Sequence, residues 1–501
     1  LEAMGLVKMD ILGLRNLSII ERIVQQLQLR DPEFNLLEIS KQDEATYQLL
    51  RAGNTQGIFQ LESEGMTQLL KDVAPETFMD ISDTIALYRP GPMQFRQTYL
   101  ENRRHPAQKV TIHPALEEIT ATTHGILIYQ EQIMQVATNL AGFSLAEADT
   151  LRKVMSKKDD AQMQNLQSKF INGMVQKGYS QAQAHHIFDI VARFAAYGFN
   201  KAHSVAYSLI AYQMAYLKAN HPLLFYQSLL SSAIFSEAKL KTYLDEISRQ
   251  NITVLPPSVN RSSQVFEIED HGLRMPLNLV KGVGNVKTKA ILENREHHGP
   301  YIDFIDFISQ SVLMKLNSTQ IEHLIYAGAL DEFKLNRMSM VASLKDVMDY
   351  ADLIKVETQN QVHLDFSLLS PPKLTMVREN KPLLSRKEKE VFGFYLTYHP
   401  LKQVRQDLKQ AHRLIRQIKS KERTTLLVFL VSYRKIRTKK GEDMAFLTVE
   451  DEYDTLNCVL FPRDFRIYED LLEPYQVVLI TGRTQDKGDF IINQIEKVAM
   501  S

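Results

Sequence analysis

The chain has one cysteine in 501 residues, no net charge and no long apolar run, and each absence excludes a class of protein. A single thiol, Cys458, rules out an internal disulfide framework and suits a reducing compartment. It lies in the apolar run Cys458-Val459-Leu460-Phe461, where a buried thiol behaves as a small hydrophobe, not as a nucleophile. Basic and acidic residues both number 59, so bulk charge announces no nucleic-acid partner, and any affinity for phosphate must come from local clustering. No segment approaches the roughly 18 uninterrupted apolar residues of a membrane span, and the N-terminus lacks a secretory-signal pattern. The expectation is a cytoplasmic protein with no membrane partner. Neither a tandem repeat nor a low-complexity tract is present. His185-His186 and His297-His298 are adjacent pairs that point in different directions on a helix, so they predict no metal site.

What is present is room for three or four domains. From about Leu14 to Pro256 the pattern is helical. Apolar residues recur at three-and-four spacing in Asn16–Leu29, Lys41–Ala52, Ala161–Lys177, Ala182–Ala195 and Lys239–Gln250. Pro256-Pro257 closes this region, and a short strand is expected over Gln264–Ile268. A small helical module starts at Leu279. Periodicity is weak from about residue 350 to 386, which reads as a linker, and a short helix follows over Arg386–Tyr395. The last eighty or so residues differ in kind. Thr424–Arg437, Met444–Glu450, Thr455–Phe461, Gln476–Gly482 and Phe490–Val498 are strand-like and separated by turn signals at Gly441 and Gly488. A helix is expected between the third and fourth strands. Five strands with that helix match the small OB barrel, a fold often used on single-stranded nucleic acid.

Several clusters carry chemistry. Lys8 and Asp10 alternate in Leu6-Val7-Lys8-Met9-Asp10-Ile11, which puts both on one face of a strand. Spacing alone favours a surface Lys–Asp pair on an edge strand. Arg89 stands in Tyr88-Arg89-Pro90-Gly91-Pro92-Met93, a stiff turn suited to holding a phosphate or to bridging a carboxylate. Arg152 and Lys153 precede Lys157 and Lys158 by a turn or more, as a solvated charge run also would. Lys201 and His203 open a long helix. A lysine there opposes the helix dipole unless an anion is bound beside it, while His203 also fits a structural hydrogen-bonded role. Tyr207, Tyr212 and Tyr216 are spaced five then four residues apart, which predicts core packing over a base-stacking row.

LVKGVGNVKTKAIL, Leu279 to Leu292, reads as a helix-hairpin-helix. Gly282 and Gly284 permit a tight turn whose N–H groups face a DNA phosphate, and Lys281, Lys287 and Lys289 add attraction that is independent of sequence. Between Arg413 and Lys440 ten basic residues meet one acid, Glu422. Arg434, Lys435 and Arg437 there mark a basic strand for single-stranded template, against the ordinary reading of a solvated face. Gln361-Val362-His363-Leu364-Asp365-Phe366 places Leu364 and Phe366 for an apolar pocket and Gln361 for a hydrogen bond.

The run AAYGFNKAHSVAYSLIAYQMAYLK (Ala195 to Lys218), YRPGPM (Tyr88 to Met93) and YQEQIM (Tyr129 to Met134) together resemble the fingers of the bacterial DNA polymerase III alpha family. The resemblance runs from Gly5 to about Lys497, and to the form without a built-in exonuclease. It implies a multidomain, mostly helical fold with a C-terminal five-stranded OB-type barrel. The implied division is the end of a palm over 1–15, fingers over 16–256, a clamp-binding domain with the helix-hairpin-helix over 257–415, and an OB-fold domain over 416–501. The implied activity is template-directed DNA synthesis with two magnesium ions. GLVKMDILGL (Gly5 to Leu14) resembles the last palm strand, which makes Asp10 the third of three metal-binding aspartates and Lys8 a phosphate-holding neighbour. The other two would lie upstream, so the expectation is a C-terminal fragment, inactive by itself. Arg89, Arg152, Lys153, Lys201 and His203 would face the incoming nucleotide or template backbone, and Gln361, Leu364 and Phe366 the sliding clamp. Partners implied are primer-template DNA, single-stranded template, deoxynucleoside triphosphates and the clamp, extending to a clamp loader and other replisome subunits. The competing class is a non-catalytic DNA-binding protein that retains these domains.

Overall fold

The computed structural model describes residues 4–5, 9, 13–89, 91–157, 160–195, 197–357, 362–397, 399, 401, 404–405, 408, 412–418, 421–438, 440–452, 454–474, 476–484 and 489–498. They form two compact units, Leu1–Ser232 and Ala233–Ser501.

The first unit is helical: α1 Arg15–Gln28, α2 Glu44–Ala52, α3 Glu64–Val73, α4 Phe78–Leu87, α5 Arg96–Arg104, α6 Gln130–Ala141, α7 Leu145–Lys157, α8 Asp160–Gln176, α9 Gln181–Ala195, α10 Lys201–Asn220 and α11 Pro222–Ser232. Their starts are chemically marked. Asp43 and Asn200 cap α2 and α10, and Thr77 with Asp80 forms a reciprocal capping box on α4. Every residue of α4 from Asp80 to Leu87 is buried, so this helix is central to the unit. Its neighbour α10 buries Ser204, Ser208, Ala211 and Ala215, small residues that let the two helices approach. A large apolar core gathers Leu127, Ile128, Val136, Phe170, Met174, Ile187 and Val191. Each such side chain contributes roughly 1.5–3 kcal/mol on full burial. Lys218 is 2% exposed. Its ammonium donates to the Gln56 carbonyl at 2.7 Å and lies over the Phe225 and Tyr226 rings, which offset its desolvation.

The second unit opens with α12 Glu237–Arg249 and a small sheet of β1 Thr253–Leu255, β2 Glu267–Glu269 and β3 Gly272–Arg274, in the order β1-β3-β2. Then come α13 Gly284–His298, α14 Phe304–Leu313, α15 Ser318–Tyr326 and α16 Arg337–Leu353. Within the stretch expected to be a linker, described residues are tied to one another and to α16. Strands β4 Lys355–Glu357 and β5 Val362–Leu364 pair antiparallel. Further on, Thr375 N–H donates to Ser343 Oγ and Val377 N–H to Ser339 Oγ, both at 2.8 Å. An extended segment is thus fixed by side chains of α16, which its own periodicity could not reveal. Helix α17, Lys381–Phe392, begins five residues before the expected segment because Asn380 caps it and Pro382 suits the first turn.

The five expected barrel strands are present as β6 Arg423–Arg437, β7 Asp443–Glu450, β8 Thr455–Leu460, β9 Gln476–Thr484 and β10 Phe490–Lys497, with α18, Pro462–Tyr468, between β8 and β9. They close in the order β10-β8-β7-β6-β9, the closure being the parallel pair of β8 with β10. Leu426, Val428 and Leu430 face the barrel core, while Leu427 and Phe429 join a second cluster with Leu401, Val404 and Val477. Thus β6 is buried on both faces along this stretch. A register shift between Leu430 and Ser432 marks a bulge. Gly482 has to be glycine, since a Cβ there would collide with the Ile491 carbonyl. Cys458 is buried in the barrel core, as its sequence neighbours implied.

Candidate nucleotide and DNA-binding sites

Two backbone bonds set the geometry in the first unit. Phe199 N–H donates to the Ile128 carbonyl and Gln130 N–H donates to the Phe199 carbonyl, both at 2.9 Å. This short parallel bridge between Tyr129 and Phe199 brings the starts of α6 and α10 side by side. Four basic residues singled out from sequence meet that junction. The Arg89 guanidinium lies 4.7 Å over the Phe199 ring, and the Lys201 ammonium 5.5 Å over Tyr129. Arg152 donates from Nη1 to Gln130 Oε1 at 3.0 Å. His203 meets Phe199 edge-on at 5.5 Å and Tyr207 at 4.2 Å with the rings tilted by 33°. Arg89 and His203 are exposed and line a cleft of about 470 Å³ with Phe59, Met66, Tyr88 and Tyr207. Tyr212, by contrast, is fully buried, and its hydroxyl donates to the Ser40 carbonyl at 2.7 Å.

Charge pairing inside the protein qualifies two of these assignments. Arg152 also donates from Nε and Nη2 to Asp149 Oδ1 at 3.0 and 2.8 Å, and Lys153 lies 2.7 Å from Asp149 Oδ2. Lys153 and Arg152 together hold the Asp149 carboxyl below its usual range. The basic pair therefore shares one carboxylate. The anion at the start of α10 is likewise internal. Lys201 N–H donates to both Glu131 oxygens, at 3.1 and 2.9 Å, and Asn200 Nδ2 donates to Oε1 at 3.2 Å. The sequence argument needed an anion there, and Glu131 supplies one.

Beneath the junction lies a buried polar cluster that sequence reasoning missed. Tyr129 donates to Asp83 Oδ1 at 2.6 Å and Tyr99 to Oδ2 at 3.3 Å. Ser82 Oγ bonds Tyr129 and Ser204, linking α4, α6 and α10. Burial pushes the Asp83 carboxyl up to about 6, against the hydrogen bonds from Tyr129 and Tyr99. For its neighbour Asp80, burial also acts upward. The Glu76 N–H and the Arg103 guanidinium outweigh it and hold that carboxyl below its usual range. The one sequence signal was the acid-rich, otherwise apolar run of α4.

In the second unit, Gly282 and Gly284 both adopt positive φ, at 81° and 56°, as the hairpin turn requires. Lys281 and Lys289 are exposed, with Lys289 3.6 Å from Glu293. Lys287 is engaged elsewhere, donating to the Lys315 carbonyl at 2.6 Å. On the barrel, Lys435 lies 2.8 Å from Glu469 and 3.1 Å from Asp443, and Arg437 3.6 Å from Asp443. Arg434 stacks 5.9 Å from the half-exposed Phe446. The linear excess of base over acid is thus partly neutralised by acids from other strands. Leu364 ends β5 half-buried, and Phe366 is 49% exposed, next to the exposed Leu368 and Leu369.

Lys8, Asp10 and Gln361 lie outside the described residues. Among the described residues no group of three or more His, Cys, Asp or Glu is placed to hold a metal ion, and no helix is long and apolar enough to cross a membrane.

The first unit thus gathers basic residues round an aromatic cleft, and the second holds a two-glycine hairpin turn and a closed barrel. Residues 16–178 match the family model described as the bacterial DNA polymerase III alpha subunit finger domain, and residues 251–340 match a helix-hairpin-helix motif. A DNA polymerase III subunit alpha of Staphylococcus epidermidis is 39% identical over 504 residues, and one of Staphylococcus aureus 38% over 506. Each alignment covers 99% of this chain and 47% of the relative, so the chain spans about half the length of the curated relatives it matches. It carries a fingers domain of the DNA polymerase III alpha kind together with a helix-hairpin-helix region.

Proposed function

We propose that this chain serves bacterial replication as the fingers, clamp-binding and OB-barrel portion of a DNA polymerase III alpha subunit, which adds deoxynucleotides to a primer 3′ end on a DNA template. The supporting observation is the gathering of Arg89, Arg152, Lys201 and His203 round the Tyr129–Phe199 junction. In this reading Arg89 and His203 meet the triphosphate or template backbone from the cleft wall. Lys201, Arg152 and Lys153 supply positive charge beside it, and phosphate displaces part of their internal pairing to Glu131 and Asp149. Asp10 is one magnesium ligand and Lys8 steadies a phosphate oxygen. When bound, magnesium would neutralise the triphosphate and lower the barrier to attack by the primer hydroxyl.

The division follows: 1–15 closes the palm, 16–256 forms the fingers, 257–415 binds the clamp through Gln361, Leu364 and Phe366, and 416–501 guides single-stranded template. The site of action is the cytoplasm, with the clamp loader and other replisome subunits as further partners. Collinearity with polymerase subunits over 99% of the chain favours this over a non-catalytic DNA-binding protein. The test is primer extension by the subunit carrying this chain. Asp10→Ala should abolish extension and leave primer-template binding intact, and equal turnover by the variant would place the metal ligand elsewhere.

A further inference from the structure

The hairpin turn before α13 is held by side chains from α15. His323 Nδ1 lies 2.6 Å from the Lys281 carbonyl oxygen, which accepts its hydrogen. Gln320 Nε2 donates to the Gly282 carbonyl at 2.8 Å. Lys281 N–H donates to the Val391 carbonyl on α17 at 3.3 Å. Two successive carbonyls and one N–H of the turn are therefore fixed from outside it. The N–H groups of Gly282, Gly284 and Asn285 find no acceptor among the described residues. The peptide unit of the Lys281 carbonyl carries the Gly282 N–H, which therefore points the other way, and that of the Gly282 carbonyl carries the Val283 N–H, which closes the turn on the Val280 carbonyl at 3.0 Å. Gln320 does this while capping its own helix, since its Oε1 accepts from Asn317 N–H at 3.1 Å. Nothing in sequence connects these residues, which lie 38 and 42 positions from their partners.

We infer that His323 and Gln320 are positioning residues for DNA. By holding the Lys281 and Gly282 carbonyls against α15, they aim the free N–H groups of the turn at one backbone phosphate of a duplex. This rests on the proposed reading of the hairpin as a phosphate contact. A preset turn meets a phosphate without first losing conformational freedom, so its contribution is to affinity and not to base choice.

The experiment uses the full chain and a blunt 20-base-pair duplex at pH 8 across a salt series. Four variants are compared: His323→Ala, His323→Gln (whose amide can still donate), Gln320→Glu (which keeps the cap on α15 but loses the donor) and Lys281→Ala. His323→Ala should weaken duplex binding roughly three- to tenfold, the scale of one lost hydrogen bond. The salt slope should be unchanged, because no cation is removed, and His323→Gln should recover most of the affinity. Gln320→Glu should weaken binding at least as much, with an unchanged thermal midpoint. Lys281→Ala should weaken binding and lower the salt slope by about one. Hydrogen exchange should speed up in His323→Ala only over residues 280–287. If Lys281→Ala weakens binding and His323→Ala does not, the positioning role fails while the hairpin reading stands. If neither changes binding, the hairpin does not contact phosphate and both readings fail. Loss of protection spread across α13 to α16 would make His323 a support of the fold and would also overturn the inference.

Discussion

Replacing Asp83 with Asn should change how stability depends on pH. Asp83 is 2% exposed and accepts from Tyr129 and Tyr99, with Asp80 and Lys201 as the nearest charges acting on it. Burial lifts its carboxyl from 3.8 to about 6 in the folded state. Between those values the folded chain keeps a proton that the unfolded chain has lost. Asp83 therefore favours folding most at low pH, and that advantage shrinks as pH rises through this window and is constant above about 6. The interval corresponds to about 3 kcal/mol, or a shift of about 6–12 °C for a unit of this size. Asn has the same shape and no proton to lose, and its altered hydrogen bonding to the two tyrosines adds only a constant offset. Calorimetry of both proteins from pH 4 to 7.5 checks this for the transition of the first unit. The midpoint of Asp83→Asn relative to the parent should climb by that amount and level off above about pH 6. All other carboxylates are common to both proteins and cancel in the difference. Parallel curves would show that the folded carboxyl titrates normally, and the reasoning from burial would fail.

Arg103→Met should cost about 3–5 kcal/mol, measured by denaturation, because it leaves the buried Asp80 carboxylate without its guanidinium and strips the Val73 carbonyl of a 2.8 Å bond. Glu131→Gln should tighten triphosphate binding by the intact subunit several-fold if phosphate competes with this carboxylate at the start of α10; weaker binding would mean that Glu131 only orients Lys201. Replacing Leu364 and Phe366 together with Ala should weaken sliding-clamp binding at least tenfold by surface plasmon resonance, with little change in thermal midpoint, since Phe366 is half exposed. Arg434→Ala should reduce affinity for a single-stranded oligonucleotide more than for duplex, because its partner on the barrel is the exposed ring of Phe446 and not a carboxylate.

The barrel was the most legible part of the chain. Its strands start and stop within two residues of the sequence expectation, because alternation and Gly-containing turns encode them locally. The helical boundaries of the first unit were nearly as clear, and those of α2, α4 and α10 are set by a capping side chain next to the start. The segment after α16 reads as a linker because what holds it is borrowed. Ser339 and Ser343 hold it from a helix more than thirty residues away, and local periodicity is blind to that. The basic stretch through β6 is partly neutralised for a related reason, since Asp443 and Glu469 come back to Lys435 only when the barrel closes.

The candidate site was legible as a set of residues and not as an arrangement. Arg89, Arg152, Lys201 and His203 stood out singly, each in a distinctive local setting. What relates them is carried by Tyr129, Gln130, Glu131 and Phe199, whose contacts reach across as many as 110 positions of sequence. Electrostatics then adds a constraint that no local window contains. A cluster of cations kept beside a cleft repels itself unless carboxylates lie among them; Asp149 does so here at hydrogen-bond distance from Arg152 and Lys153, while Glu131 accepts from the backbone N–H of Lys201. Carboxylates in that position stabilise the empty site and compete with a phosphate for the same donors. On the proposed reading the site exchanges one anion for another, and affinity for phosphate is then set by the difference between two pairings and not by the number of positive charges.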